Sequence, residues 1–127
     1  MGLTDMLNDA GARAKLDDFA QRYDQGAPWE GISDDEAREN HDRVASQLDD
    51  NEYEESARES YLRLDSAQRR EAARSLGAGD TDDPDELARA TNRARKEKPD
   101  MLQQLMGNPA IKGAVAGIAA NAVKKFR

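Results

Sequence analysis

The sequence predicts an all-α protein: a small bundle of short helices, a linker, and a separate C-terminal helical tail. Three observations predict it. Ala supplies 21 of the 47 hydrophobic residues, and Ala, Glu, Arg, Gln and Leu are the strongest helix formers. Good N-cap residues recur every 16 positions, at Ser33, Asp49, Asp65 and Thr81, each with an oxygen for the unpaired N–H groups of a first turn. Apolar residues follow helical spacing rather than strand alternation. The core is thin, because Leu, Ile, Val and Phe make up only 18 of 127 residues, under the ~20% below which charged chains tend to disorder.

Taken in order, Leu16, Phe19, Ala20 and Tyr23 give a first helix with one apolar face, extendable through Leu3, Met6 and Leu7 across a weak point at Gly11. The turn Gln25 to Gly31 carries the only Trp, Trp29, read as a lid over the core. Ser33-Asp34-Asp35-Glu36 reads as a capping box with Glu36 reaching back to the Ser33 N–H, and Asp65-Ser66-Ala67-Gln68 as a weaker one. Ala37, His41, Val44, Ala45 and Leu48 form the stripe of the second helix, and Leu48 is placed to staple onto Tyr53. Tyr53, Ala57, Tyr61 and Leu64 mark the third helix, Ala72, Ala73 and Leu76 the fourth, and Gly77 its left-handed stop. Residues 1–76 are therefore expected to be the helical domain.

Residues 77–86 have the composition of an acidic linker, with the next helix starting at Thr81 or at Asp83, where Pro84 takes the first helical position. Residues 87–106 are expected to form a basic, polar helix whose only large apolar residue is Leu87, broken by Pro99 and followed by the apolar turn of Met101, Leu102, Leu105 and Met106. Gly107-Asn108-Pro109 then stops one helix and starts another.

That last helix, within residues 107–127, carries the sharpest functional expectation. On a wheel of ~100° per residue, Ile111, Val115, Ile118, Ala122 and Phe126 lie within about 80° of one another. Gly113, Gly117, Ala120 and Lys124 occupy the far side, and the Gly113-x-x-x-Gly117 spacing would let another helix approach closely. Lys124 and Lys125 end the helix where cations favour its dipole. The expected binding residues are thus Ile111, Gly113, Val115, Gly117, Ile118, Ala122, Lys124, Lys125 and Phe126. They serve either to dock the helix on its own domain or to engage a protein partner, a second copy or an anionic membrane surface.

Charge is divided to match. Residues 1–88 carry 24 acidic and 10 basic side chains, a net of −14, whereas residues 89–127 carry 2 and 9, a net of +7. Such a basic tail is drawn either to its own acidic body or to an external anion. Arg89, Arg93, Arg95, Lys96 and Lys98 supply the alternative, a backbone-tracking contact with nucleic acid, although they lack interleaved aromatics. With no Cys and a single His, zinc sites and nucleophilic triads lack their parts, so no enzyme, cofactor or metal is expected. The acidic run Asp80 to Glu86 has Asp85 and Thr91 where a calcium loop needs Gly and Glu, and is read as carboxylates at a helix start. His41 has Arg38, not Glu, three residues before it, and is read as an interior His. Neither a signal peptide nor a membrane span is evident, since Ala110 to Val123 is too short. A cytoplasmic protein is expected, with the inner-membrane periphery as an additional location.

The stretch Tyr53 to Leu76, with a Tyr-led helix, an Arg63-Leu64-Asp65 turn and an Arg69-Arg70 helix closing on Leu76, resembles a segment of small bacterial helical proteins. The Met1-Gly2-Leu3 start and the Phe126-Arg127 end look like those of small bacterial proteins of the YidB type. Neither resemblance carries an activity or a functional residue. The sequence thus reads as a non-enzymatic bacterial interaction or stress-type protein acting through its C-terminal helix.

Overall fold

Seven α-helices account for nearly all of the computed structural model, which describes residues 8–24 and 32–126, Phe126 by its backbone alone. They are α1 (Ala10–Asp24), α2 (Asp34–Ala45), α3 (Asp50–Leu62), α4 (Ser66–Leu76), α5 (Pro84–Glu97), α6 (Pro99–Gln104) and α7 (Pro109–Phe126), with a 3-10 turn at Leu105–Gly107 before α7. Leu3, Met6, Leu7 and Trp29, assigned above to a helix extension and a lid, lie outside the described residues.

The helix starts follow from the caps, with two departures. Ser33, Asp49 and Asp65 each accept from the backbone N–H three residues on. The fourth cap is Asp83, two residues past the even interval, because Pro84 has the φ and the missing N–H that suit a first helical position. Thr81 instead accepts from the Asp83 N–H through Oγ1 at 3.1 Å. Glu36 does not complete a capping box. Its carboxylate is bound by the Arg22 guanidinium from α1, a bidentate charged pair that is stronger than one more bond to an exposed N–H. Reciprocal capping boxes form at Asp49–Glu52 and at Asp65–Gln68. Gly77 ends α4 at φ 74°, a conformation that favours glycine.

Every stripe predicted for α2 and α3 is buried, as are Leu16, Phe19, Ala20 and Tyr23 on α1 and Ala72 and Ala73 on α4. What they are buried against differs from expectation. The single core cluster runs from Leu16 to Val123 and includes residues of α5, α6 and α7. α7 lies in the middle of the bundle and packs on α1, α2, α3 and α4, while α5 packs on α3 and α4. The division at residue 76 into a domain and a separate tail therefore gives way to one bundle with α7 at its centre. Nor is α5 merely the basic, polar helix expected from its single large apolar residue, for it buries Leu87, Ala88, Ala90, Thr91, Asn92 and Ala94. Its small side chains let the backbone approach α3, whose large Tyr53 and Tyr61 fill the space between.

All three tyrosines are fully buried, so among the described residues most of the aromatic volume of this Ala-rich core lies in phenols. Tyr61 donates to Thr91 Oγ1 at 2.6 Å, since that hydroxyl already donates to Leu87 O at 2.8 Å. Burial pushes the Tyr61 phenol up to about 12 and raises Tyr23 and Tyr53 as well. A phenol whose pKa is raised by folding contributes stability that is whole below its ordinary value of 10.0 and is lost as pH climbs towards the folded value. Helicity and tyrosinate absorbance, followed together with pH, should change in one cooperative step between those limits. Tyrosines ionising at their ordinary value with helicity intact would contradict this burial.

Candidate functional site

The residues singled out in the last helix converge on one place, the seat of α7. Ile111, Gly113, Val115, Gly117, Ile118 and Ala122 are all buried, and Ile118 is 0% exposed. The helix is buried on its far side too, through Gly113, Ala116, Gly117 and Ala120, and on its flanks through Ala114 and Ala119. The wheel divided it into an apolar face and a bare one, and both are in contact with protein, because Ala and Gly surfaces pack as well as branched ones when the neighbour supplies the bulk.

At Gly117 the seat is closest. A side chain there would collide with the Ser60 and Tyr23 hydroxyls, and would stand 2.9 Å from Ser60 Cβ. Ser60 Oγ donates to Ala114 O at 2.7 Å, and Asn121 Nδ2 donates to Ser56 O at 3.4 Å. The predicted close helix approach thus takes place inside the chain, with α3 and Tyr23 of α1 as the neighbours. The signal overlooked in the sequence is Ser56-Ala57-x-x-Ser60, a small-residue face on α3 at helical spacing.

The charge division closes around the same helix. Lys112 pairs with Asp34 at 3.2 Å, Lys124 with Asp24 at 2.8 Å, and Lys125 with Glu55 at 2.8 Å and Glu59 at 3.2 Å. The hydrogen bond from Lys125 holds the Glu55 carboxyl below its usual range. Arg63 and Lys124 also lie over the Tyr23 ring, at 4.4 and 5.9 Å from its centroid. The Phe126 side chain lies outside the described residues.

His41 is an interior histidine with both ring nitrogens engaged. Nε2 and the Tyr53 hydroxyl are 2.7 Å apart, and Nδ1 lies 3.1 Å from Asp42 Oδ1. A carboxylate only accepts, so Nδ1 carries the proton, and in the neutral ring Nε2 accepts from the Tyr53 O–H. The Arg95 guanidinium covers the Tyr53 ring at 4.1 Å. This chain of bonds tethers α2 to α3, and a small cavity of about 160 Å³ opens beside it between His41, Arg95, Leu102 and Met106. No set of three or more His, Cys, Asp or Glu side chains among the described residues is grouped to hold a metal ion.

The basic segment is divided in its use. Arg95 and Lys96 reach Asp50 at 3.6 and 3.0 Å, whereas Arg89, Arg93 and Lys98 are exposed. The acidic run is spent locally: Asp82 accepts from Ser66 Oγ at 2.7 Å, Asp83 caps α5, and Asp85 pairs with Arg58 at 3.5 Å. No helix among the described residues is long and apolar enough to cross a membrane. Compared with protein-family models, with curated proteins and with solved structures, the chain matches none.

Proposed function

We propose that this chain is a non-enzymatic interaction protein whose C-terminal helix is bound by the chain's own acidic body, so that the helix organises a contact surface and is not itself the contact. The observation that carries this reading is the seat of α7: Ile111, Val115, Ile118 and Ala122 of its apolar stripe are buried, and its three lysines pair with α1, α2 and α3. Among the described residues, a stripe spent in this way has no apolar area left for a membrane or a second copy, and exposing it would undo most of the core. Contacts with a protein partner then fall on the charged outer faces of the bundle.

The test is deletion of residues 108–127, with light scattering and sedimentation with anionic and neutral vesicles before and after. The full chain should be monomeric and ignore both vesicles, and the deletion should lose cooperative unfolding. A dimer or a vesicle-bound form that disappears with the deletion would overturn the reading and return the helix to an external role.

A second reading, contact with nucleic acid through the segment 89–98, is favoured by one observation, the exposed cations Arg89, Arg93, Lys96 and Lys98, of which Lys96 is paired with Asp50. Asp50 and Glu54 stand beside Arg89 and Arg93 and would repel a phosphate backbone. Duplex binding that weakens steeply with added salt would support it.

A further inference from the structure

A cleft of about 470 Å³ opens between the C-terminal ends of α4 and α5 and the start of α6. Leu76, Ala78, Ala90, Ala94 and Met101 give it apolar lining within a mostly polar wall, which carries Arg74, Arg93 and Lys98 against the single carboxylate of Glu97. Cations at helix ends usually answer the last free carbonyls. Here the backbone meets part of that need, since Gly77 N and Ala78 N cap α4 and Lys98 N donates to Ala94 O. Among the described residues, neither Arg93 nor Lys98 has a hydrogen bond or ion pair from its side chain, and Arg74 reaches only Asp80, at 4.0 Å. An acidic protein of net charge −7 therefore holds a local excess of positive charge beside the apolar side chains of a cleft of ligand-binding size.

We infer that this cleft binds a small single-chain amphiphile with an anionic head, the head held by Arg93 and Lys98 and the chain laid over Ala78, Ala90, Ala94 and Met101. An anion gains at the cations what a neutral or cationic head does not, and an apolar chain gains at the apolar side chains what a bare anion does not. Both parts are required for affinity, which sets the class of ligand apart from inorganic phosphate and from apolar molecules alike.

The probes are decanoate, acetate and decyltrimethylammonium, each titrated below its micelle-forming concentration into the full chain by calorimetry. Shifts of the Ala78, Ala90 and Ala94 methyl resonances locate the site. Decanoate should bind one to one and move those methyls, while acetate and the cationic amphiphile should not bind. Arg93→Glu and Lys98→Glu change exposed side chains and should leave the melting temperature near that of the parent while weakening decanoate at least tenfold. If decanoate fails to bind, binds Arg93→Glu and Lys98→Glu as it binds the parent, or binds no better than decyltrimethylammonium, the inference is overturned.

Discussion

Ile118→Asp should abolish cooperative folding of the entire bundle rather than merely detach a binding surface. Ile118 is fully buried midway along α7, the helix that touches α1, α2, α3 and α4. The change removes an apolar burial of about 1.5 to 3 kcal/mol. It also places in the core a carboxylate whose desolvation costs several kcal/mol without a partner. Domains of this size are stable by only about 5 to 15 kcal/mol, so the two losses together consume most of the margin. Ile118→Val, which trims one methylene, should cost only about 0.5 to 1.5 kcal/mol and keep the transition cooperative. Thermal and urea melts followed by circular dichroism distinguish these outcomes. An Ile118→Asp variant that melts like the parent would take α7 out of the core.

The same residue shows what was legible in the sequence. The stripes of α1 to α4 could be read because each pairs large apolar side chains with a definite period, and the helix starts because Ser33, Asp49 and Asp65 are strong local signals. Where local and distant partners compete, local reasoning fails: Glu36 leaves the Ser33 N–H for Arg22, fourteen positions away. The destination of α7 was illegible for a related reason. Ala114, Ala116, Ala119 and Ala120 carry little apolar area of their own and resemble an exposed face, and only packing against the distant helices α1 to α4 turns them into a buried one. α5 repeats the case, since the buried Thr91 gains its partner from Tyr61, thirty positions away. The acid–base division was visible as composition. Its pairing of Asp24 with Lys124 and of Glu55 with Lys125 spans much of the chain, which no local pattern encodes.

The closest test of the α7 seat is Gly117→Ala, where two effects of opposite sign meet. Helix propensity alone favours Ala over Gly by about 1 kcal/mol in a helix interior. The added methyl, however, would overlap the Ser60 and Tyr23 hydroxyls and approach Ser60 Cβ to 2.9 Å. Rotating Ser60 Oγ aside would break its 2.7 Å bond to Ala114 O, and no rotation moves Ser60 Cβ, which is fixed to the backbone of α3. Relief therefore needs α3 and α7 to part, and overpacking of that kind costs about 1 to 3 kcal/mol or more. The balance falls on the side of destabilisation, and Gly117→Val should be worse. Gly107→Ala, with open space around the new methyl, is the control and should leave the melting temperature near that of the parent. Ser60→Gly removes both the Oγ and the Cβ that obstruct, so a double-mutant cycle between positions 60 and 117 should show a coupling of about 0.5 to 3 kcal/mol in the direction of rescue. Additive effects at the two positions would mean that α3 and α7 do not meet there, and with that contact gone the seat of α7 would lose its central point.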